Sequence, residues 1–565
     1  MIGVVAATAA GRAMAERLAA AWPGRTTAPT GGVADQFRAA WDGCDQLVCF
    51  LATGATVRLA APLLAGKRAD PGVVCVDDAG RFAVALLGGH AGGANELATA
   101  VAAVFGAEPV LTTASDATGG TALDTFGADI GFRLADAAAV ARVTRAMLDG
   151  APPRLLTDAT WPVPPLPTAA DGRYAVAVSD RLDAAADLVF RPPSLVVGVG
   201  ASRGAPAAEL GALIADSLAS AALATASVRA LATVDVKAGE PGILEVAGGH
   251  GWPLLTYPAA ALAGEPVPNP SEAVRAAVGT PSVAEAAALR AAREHGRAAE
   301  LVSPKRAGAT TTAAVARLTP RGRLSIVGLG PGSADLRPPR AVAALRRASV
   351  VVGLDQYVAQ VRHLLPPGAR VVESGLGAEE ERARTAVALA TAGHAVALVG
   401  SGDAGVYAMA SPALQLAPVE VDVEVVPGVT AALAASALLG APLGHDHAYL
   451  SLSDLHTPWP VIAARLRACA EADLVVCLYN PRSGRRTAQF DEALAILGGH
   501  RGPDTPVGVV RDADRPGQRV FRTTLGALAA DPAAVDMRCV VLVGSSRTAA
   551  VAGRMVTPRE YRWLS

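Results

Sequence analysis

The sequence predicts a multidomain α/β protein built on largely parallel sheets. Short Val/Ile/Leu-rich runs alternate with longer Ala/Leu/Arg stretches of helical pattern almost throughout, which is the rhythm of strand–helix–strand units. The chain has 565 residues, more than one hydrophobic core organises, so three or four domains are expected. Apolar residues make up 51% and charged residues 18%, an ordinary globular composition that excludes a disordered chain. A net charge of −1 gives no global attraction for nucleic acid or an anionic membrane, so neither is expected as a partner.

The elements follow in order. The first unit reads as strand 2–6, helix 8–21, strand 46–51, a helix near 55–64, strands 73–76 and 82–87, helix 92–104 and strand 109–112. A poorly patterned segment of about 133–192 contains the Pro-rich stretch Trp161-Pro-Val-Pro-Pro-Leu-Pro167 and reads as a middle or linker region. Arg191-Pro-Pro193 then precedes a strand at 195–199. A further break, Lys305 to Gly322, ends that unit. The last unit is richest in strands, at 324–328, 350–353, 395–399, 421–426, 447–452, 473–478, 506–510 and 539–543, with helices between them. The expected domains are 1–132, the middle region 133–193, 194–318 and 322–565.

Cys44, Cys49, Cys75, Cys469, Cys477 and Cys539 form no Cys-x-x-Cys pair, and no His/Cys cluster has zinc-ligand spacing, so free thiols and no metal site are expected. Met1-Ile-Gly-Val-Val-Ala runs straight into a strand with no basic region and apolar signal core, and the apolar run 386–399 is broken by Gly393 and His394. The expectation is a cytoplasmic protein.

Chemistry concentrates at strand ends. Ile326-Val-Gly-Leu-Gly-Pro-Gly-Ser333 is a glycine-rich turn after a strand, where glycines permit positive φ and close approach of a ligand to the backbone. A dinucleotide fingerprint needs Gly where Ser333 stands, and Pro331 fits poorly at the mouth of a pyrophosphate-binding helix. A tight turn and a ligand loop both remain open from this motif alone. Ser401-Gly-Asp-Ala-Gly-Val-Tyr407, Val425-Val-Pro-Gly-Val-Thr430 and Leu478-Tyr-Asn-Pro-Arg-Ser483 each follow a strand, at the carboxyl ends where open α/β sheets hold ligands.

Together these motifs resemble the tetrapyrrole (corrin and porphyrin) methylase family. Gly440-Ala-Pro-Leu-Gly-His-Asp-His447, Leu452-Ser-Asp-Leu-His-Thr-Pro-Trp459 and the tail from Thr557 look like its precorrin-3B C(17)-methyltransferase branch. The resemblance implies a two-domain methylase fold over 322–565, S-adenosylmethionine as cofactor, a corrin precursor as substrate and a homodimer. It implies that Gly328, Gly330, Pro331 and Gly332 line the substrate-side loop, and that Gly402, Asp403, Tyr407, Tyr479 and Asn480 surround the cofactor. Methyl transfer needs in-line positioning more than acid–base help, because the sulfonium methyl is already activated. The ring contraction that the resemblance implies needs a base or a donor at the departing carbon bridge, and Asp403, His445, Asp446, His447 and Asp454 are candidates. For each of them a turn residue bonded to backbone is the alternative. Arg482, Arg485 and Arg486 are candidate partners for substrate carboxylates, or else the solvated start of a helix.

In the N-terminal half, Leu86-Leu-Gly-Gly-His-Ala-Gly-Gly-Ala-Asn95 is a strand ending in paired glycines and opening a helix, whose N-terminus near Gly93 could bind a carboxylate or oxyanion. With Thr53-Gly-Ala-Thr-Val-Arg58, Ala61-Pro-Leu-Leu-Ala-Gly-Lys67 and Pro109-Val-Leu-Thr-Thr-Ala-Ser-Asp116, it resembles the N-terminal domain of cobalt-precorrin-5A hydrolase. Val197-Gly-Val-Gly-Ala-Ser-Arg203, Ala232-Thr-Val-Asp-Val-Lys237 with Glu240, and Gly279-Thr-Pro-Ser-Val-Ala-Glu-Ala287 resemble its C-terminal domain. The fold expected overall is therefore two α/β units of hydrolase-like function followed by the two-domain methylase fold. Lactone opening, which this resemblance implies, needs activated water and a stabilised oxyanion. His90 is the favoured base, with Lys67, Asn95, Thr112 and Asp116 as further candidates, whereas Lys237 and Glu240 read as a structural ion pair. The rival readings are a non-catalytic corrinoid-binding or delivery N-terminal half, and a nicotinamide-dependent oxidoreductase using the loop at Gly328.

Overall fold

Val4, Val48 and Val74 lie in three apolar runs and are buried with Leu18 and Leu97, so the opening strands stack into a sheet with helices laid over it. The computed structural model describes residues 1–66, 69–89, 92–112, 120–484 and 486–559. The chain divides into two units, Met1–Pro320 with Pro366–Ala369, and Arg321–Leu365 with Arg370–Ser565.

Among the described residues, the first unit contains three sheets. In the first, strands Ile2–Ala6, Gln46–Phe50 and Gly72–Val76 run parallel, Gly72–Val76 pairs antiparallel with Phe82–Leu87, and short strands close both edges. The second sheet corrects the reading of a middle or linker region. Arg133–Leu134, Arg154–Thr157, Ala175–Val178 and Leu188–Arg191 form four strands over a core containing Phe126, Phe132, Val143 and Phe190. Strands this short carry no readable period, and the intervening Pro-rich run hides the pairing. The third sheet places Leu195–Ala201 between Val228–Val234 and Thr311–Thr319, which hairpins with Ala298–Ala307. The stretch from Lys305 that reads as a break is thus mostly strand. Its Thr- and Ala-rich sequence lacks the large apolar residues that mark the other strands.

The second unit has two lobes. In the first, strands Arg323–Gly328, Val350–Leu354, Arg370–Ser374, Ala395–Gly400 and Asp422–Val426 form one all-parallel sheet, so Gly328, Leu354, Gly400 and Val426 end at one edge. In the second, His447–Ser451 and Val475–Tyr479 run parallel, while Pro506–Arg511, Arg519–Thr524 and Cys539–Val543 are joined by antiparallel pairings. This lobe departs from the largely parallel expectation, because alternation of apolar runs does not encode strand direction. A three-stranded ribbon, Gly440–Ala441, Ala549–Val551 and Arg554–Val556, completes the unit. No helix among the described residues is long and apolar enough to cross a membrane.

Candidate active site

The parallel sheet of the second unit delivers its glycines to one edge, and there the backbone leaves no room for side chains. A Cβ on Gly328 would lie 2.7 Å from Gly402 O, and one on Gly428 would lie 2.2 Å from the same carbonyl. Gly330 and Gly402 exchange hydrogen bonds, Gly330 N–H to Gly402 O at 3.1 Å and Gly402 N–H to Gly330 O at 2.8 Å. Both have positive φ, +79° and +68°. Glycine is required here by close packing of three loops, a reason the motif alone does not distinguish from a ligand's approach.

Asp403 fastens these loops. Its Oδ1 accepts the N–H of Gly405 at 2.8 Å and its Oδ2 the N–H of Gly428 at 2.9 Å. Tyr407, held at φ +50°, extends to the second lobe and donates its hydroxyl to Tyr449 O at 2.8 Å. Its ring lies 5.2 Å from that of Tyr479. The Tyr479 hydroxyl accepts the N–H of Ala432 at 2.9 Å and lies 2.6 Å from Thr430 Oγ1. Burial pushes this phenol up to about 12. Asn480, at φ +49°, donates through Nδ2 to Ser451 Oγ at 3.0 Å. Pro331 O accepts Arg515 Nε–H at 2.6 Å, and Gly332 packs on the same side chain. Arg515 Nη2 also donates to Ser401 Oγ. The nine candidate substrate-loop and cofactor-site residues therefore gather on loops at one edge of the first lobe and the facing strand ends of the second.

Other candidates fall elsewhere. His445 and Asp446 precede strand His447–Ser451 at the end opposite Ser451, and both are exposed, with His445 Nδ1 accepting the N–H of Asp446. The structure does not bring them to Asp403. His447 begins the same strand and is exposed, its ring 5.5 Å from Tyr449. Asp454 accepts from Gln489 Nε2. Arg486 spends its guanidinium on Leu452 O at 2.6 Å and Asn480 O at 2.5 Å, and Arg482 donates to Pro532 O, so these two brace the loop. Arg485 lies outside the described residues.

In the first unit, Lys67, His90 and Asp116 also lie outside the described residues. Gly88 and Gly93 have φ of +66° and +70°, and a Cβ on Gly72 would meet Gly92 O at 2.2 Å. The N–H groups of Ala94 and Asn95 return to Gly88 O and Gly89 O, so the turn uses the first amides of helix Ala94–Phe105 that a bound anion would need. Asn95 is buried in the first turn of that helix, and Thr112 is an exposed loop residue beyond strand Glu108–Val110. Lys237 Nζ and Glu240 Oε2 are 3.4 Å apart, and Glu240 also accepts the N–H of Gly204, an ion pair built into the fold.

Thr430 carries no assigned role in the sequence motifs, and Ser451 and Arg515 fall outside them. The signal for Arg515 is the turn Asp512-Ala-Asp-Arg-Pro-Gly517, directly after strand Pro506–Arg511.

An open parallel sheet with its glycine loops gathered at the carboxyl edge, faced by a second lobe, defines the class as a two-lobed α/β small-molecule enzyme. Residues 323–529 match the family model described as Tetrapyrrole (Corrin/Porphyrin) Methylases. A relative from Salmonella typhimurium, named "Probable cobalt-factor III C(17)-methyltransferase", is 45% identical over 42% of this chain and 99% of its own length. The precorrin-3B C(17)-methyltransferase of a Sinorhizobium species is 40% identical over 43% of this chain and 99% of its own. A crystal structure of the methyltransferase CobJ, 38% identical, is covered in full over 42% of this chain, with a TM-score of 0.40. The chain belongs to the tetrapyrrole methylase family. Ahead of that region, residues 35–116 match Cobalamin synthesis G N-terminal and residues 195–316 match Cobalamin synthesis G C-terminus.

Proposed function

We propose that the chain is a bifunctional enzyme of cobalamin (vitamin B12) biosynthesis. Its second unit transfers a methyl from S-adenosylmethionine to C-17 of (cobalt-)precorrin-3 with ring contraction, and its first unit opens the lactone of cobalt-precorrin-5A and releases acetaldehyde. The observation that carries the first activity is the meeting of the loops from Gly328, Gly402 and Gly428 with Tyr479 of the second lobe.

S-adenosylmethionine, when bound, supplies a methyl already activated as a sulfonium. The work left to the chain is positioning, and the residues suit it. Gly330 and Gly402 hold each other's backbone, Asp403 fixes the loop that follows, and Tyr407 spans to the second lobe. Backbone amides and carbonyls at a bare glycine edge offer a flat, rigid surface for an amino-acid and nucleoside ligand. With both carboxylate oxygens engaged by amides, Asp403 serves as a positioning residue.

Mass spectrometry after incubation of the full chain with S-adenosylmethionine and the trimethylated precursor tests this reading. It expects one added methyl, and an unmodified macrocycle overturns it. The two matched regions at 35–116 and 195–316 support the second activity. Acetaldehyde release from the lactone substrate tests it, and binding without release makes this half a corrinoid-delivery module instead.

A further inference from the structure

Among the described residues, four arginines are buried to nine-tenths or more: Arg191, Arg337, Arg382 and Arg501. Three make two or more close hydrogen bonds each. Arg191 donates to Ser179 O at 3.0 Å and Arg181 O at 2.5 Å. Arg382 donates to Ser374 Oγ and Gly375 O, both at 2.9 Å. Arg501 also leaves its Nε without an acceptor, but its two terminal nitrogens donate to Gly544 O at 2.6 Å and to Leu474 O. Arg337 is the exception. Its only hydrogen bond among the described residues runs from Nη2 to Gln360 O at 3.5 Å, and its buried Nε has no acceptor.

A guanidinium taken from water without acceptors or a counter-charge is costly, and an anion from outside that completed its bonding would offset that cost. The position of Arg337 shows where that anion would come from. It ends the loop that begins at Gly328, with a Cβ on Gly330 meeting Leu336 O at 2.6 Å and Arg337 Cα at 3.7 Å. Gln360 follows helix Asp355–Ala359 beyond strand Val350–Leu354. Arg337 therefore lies at the carboxyl edge of the parallel sheet, beside the glycine loop. Arg515 reaches the same edge, but its Nε and Nη2 are engaged by Pro331 and Ser401, and its guanidinium lies 5.9 Å from the ring centroid of Tyr357.

We propose that Arg337 is a carboxylate-binding residue of the methylase site, its free donors taking a carboxylate of the bound ligand in the planar, two-pronged geometry that arginine favours. Burial lowers the pKa of Arg337, and no carboxylate among the described residues opposes that shift. The inference rests on the methylase reading, in which two ligands carry carboxylates: the tetrapyrrole on its acid side chains, and S-adenosylmethionine on its amino-acid end.

The test uses the full chain as wild type, Arg337→Met and Arg337→Lys. Uroporphyrin, a polycarboxylate tetrapyrrole, is titrated by fluorescence quenching, and S-adenosylhomocysteine by calorimetry. A loss of at least tenfold in uroporphyrin affinity for Arg337→Met, with S-adenosylhomocysteine unchanged and Arg337→Lys intermediate, places the carboxylate on the tetrapyrrole. The reverse pattern places it on the cofactor. If Arg337→Met does not fold, Arg337→Lys is read alone, since it keeps the charge and loses the fork. A loss of threefold or more for either ligand then supports the inference. Wild-type affinities for both ligands in a folded variant overturn the inference and leave the methylase reading standing. A wild-type chain that binds neither ligand overturns both.

Discussion

The Tyr479 hydroxyl lies 2.6 Å from Thr430 Oγ1 and also accepts the N–H of Ala432, which ties the end of strand Val475–Tyr479 to the start of helix Ala431–Leu439. Thr430 closes the turn after Gly428, so this contact couples the second lobe to the loop that packs on Gly328 and Gly402. Tyr479→Phe leaves a buried amide without its acceptor and is expected to cost about 1–3 kcal/mol in urea unfolding of the second unit. The phenol has a raised folded pKa of about 12 against an ordinary value of 10.0, so its neutral form is favoured by folding. That contribution is complete below pH 10 and is lost as pH rises through about 12. Wild type should therefore lose stability in that window faster than Tyr479→Phe, and parallel curves would refute the coupling.

Gly428 and Gly400 make a controlled pair, because both lie beside ends of the same parallel sheet. A Cβ on Gly428 would meet Gly402 O at 2.2 Å and Gly328 C at 2.8 Å, whereas one on Gly400 meets nothing within 4 Å. Gly428→Ala is expected to destabilise the unit by about 2 kcal/mol or more through forced backbone movement, and to abolish S-adenosylhomocysteine binding in calorimetry. Gly400→Ala should keep wild-type stability. Equal stability of the two variants would contradict the packing described here.

Much of this site was legible because glycine, proline and aspartate mark strand-end turns by their chemistry. The motifs at Gly328, Gly402, Gly428 and Tyr479 read as strand-end loops, and the structure brings them together. Partners were not legible. Asp403 reads as a candidate base, yet its oxygens bind the N–H groups of Gly405 and Gly428, a pairing between loops 25 residues apart that no local pattern encodes. Arg486 reads as a substrate partner, but it turns inward onto Leu452 O and Asn480 O. Strand direction in the second lobe and the short strands at 133–191 escape for the same reason, since periodicity reports burial and says nothing of which neighbour supplies it.

Asp403→Asn separates its two acceptor contacts. One side-chain oxygen remains for Gly405 or Gly428, and the new NH2 group faces the other amide as donor against donor. Expected is a rise of about tenfold or more in the Kd for S-adenosylhomocysteine, corresponding to about 1.4 kcal/mol or more, at nearly unchanged global stability. A Kd within twofold of wild type would show that the loop does not depend on this carboxylate.

Glu209 gives the first unit an acid-sensitive joint. In the first turn of helix Ala207–Ser220, its carboxylate accepts Thr310 N–H, Thr310 Oγ1–H, Thr311 N–H and Thr311 Oγ1–H at 2.7–3.0 Å. It thereby holds the turn between strands Ala298–Ala307 and Thr311–Thr319. These bonds, led by that from the Thr310 amide, lower its pKa from 4.5 to about 2. A lowered folded pKa means stability that is present above pH 4.5 and is lost as pH falls through about 2. Because the group is solvent-accessible, the effect is read locally, by hydrogen exchange at the Thr310 and Thr311 amides of the full chain. Protection in wild type should fall across that window, whereas Glu209→Gln should start lower and change little. Protection that is independent of both pH and the substitution would mean that the turn is held by its strand pairing alone.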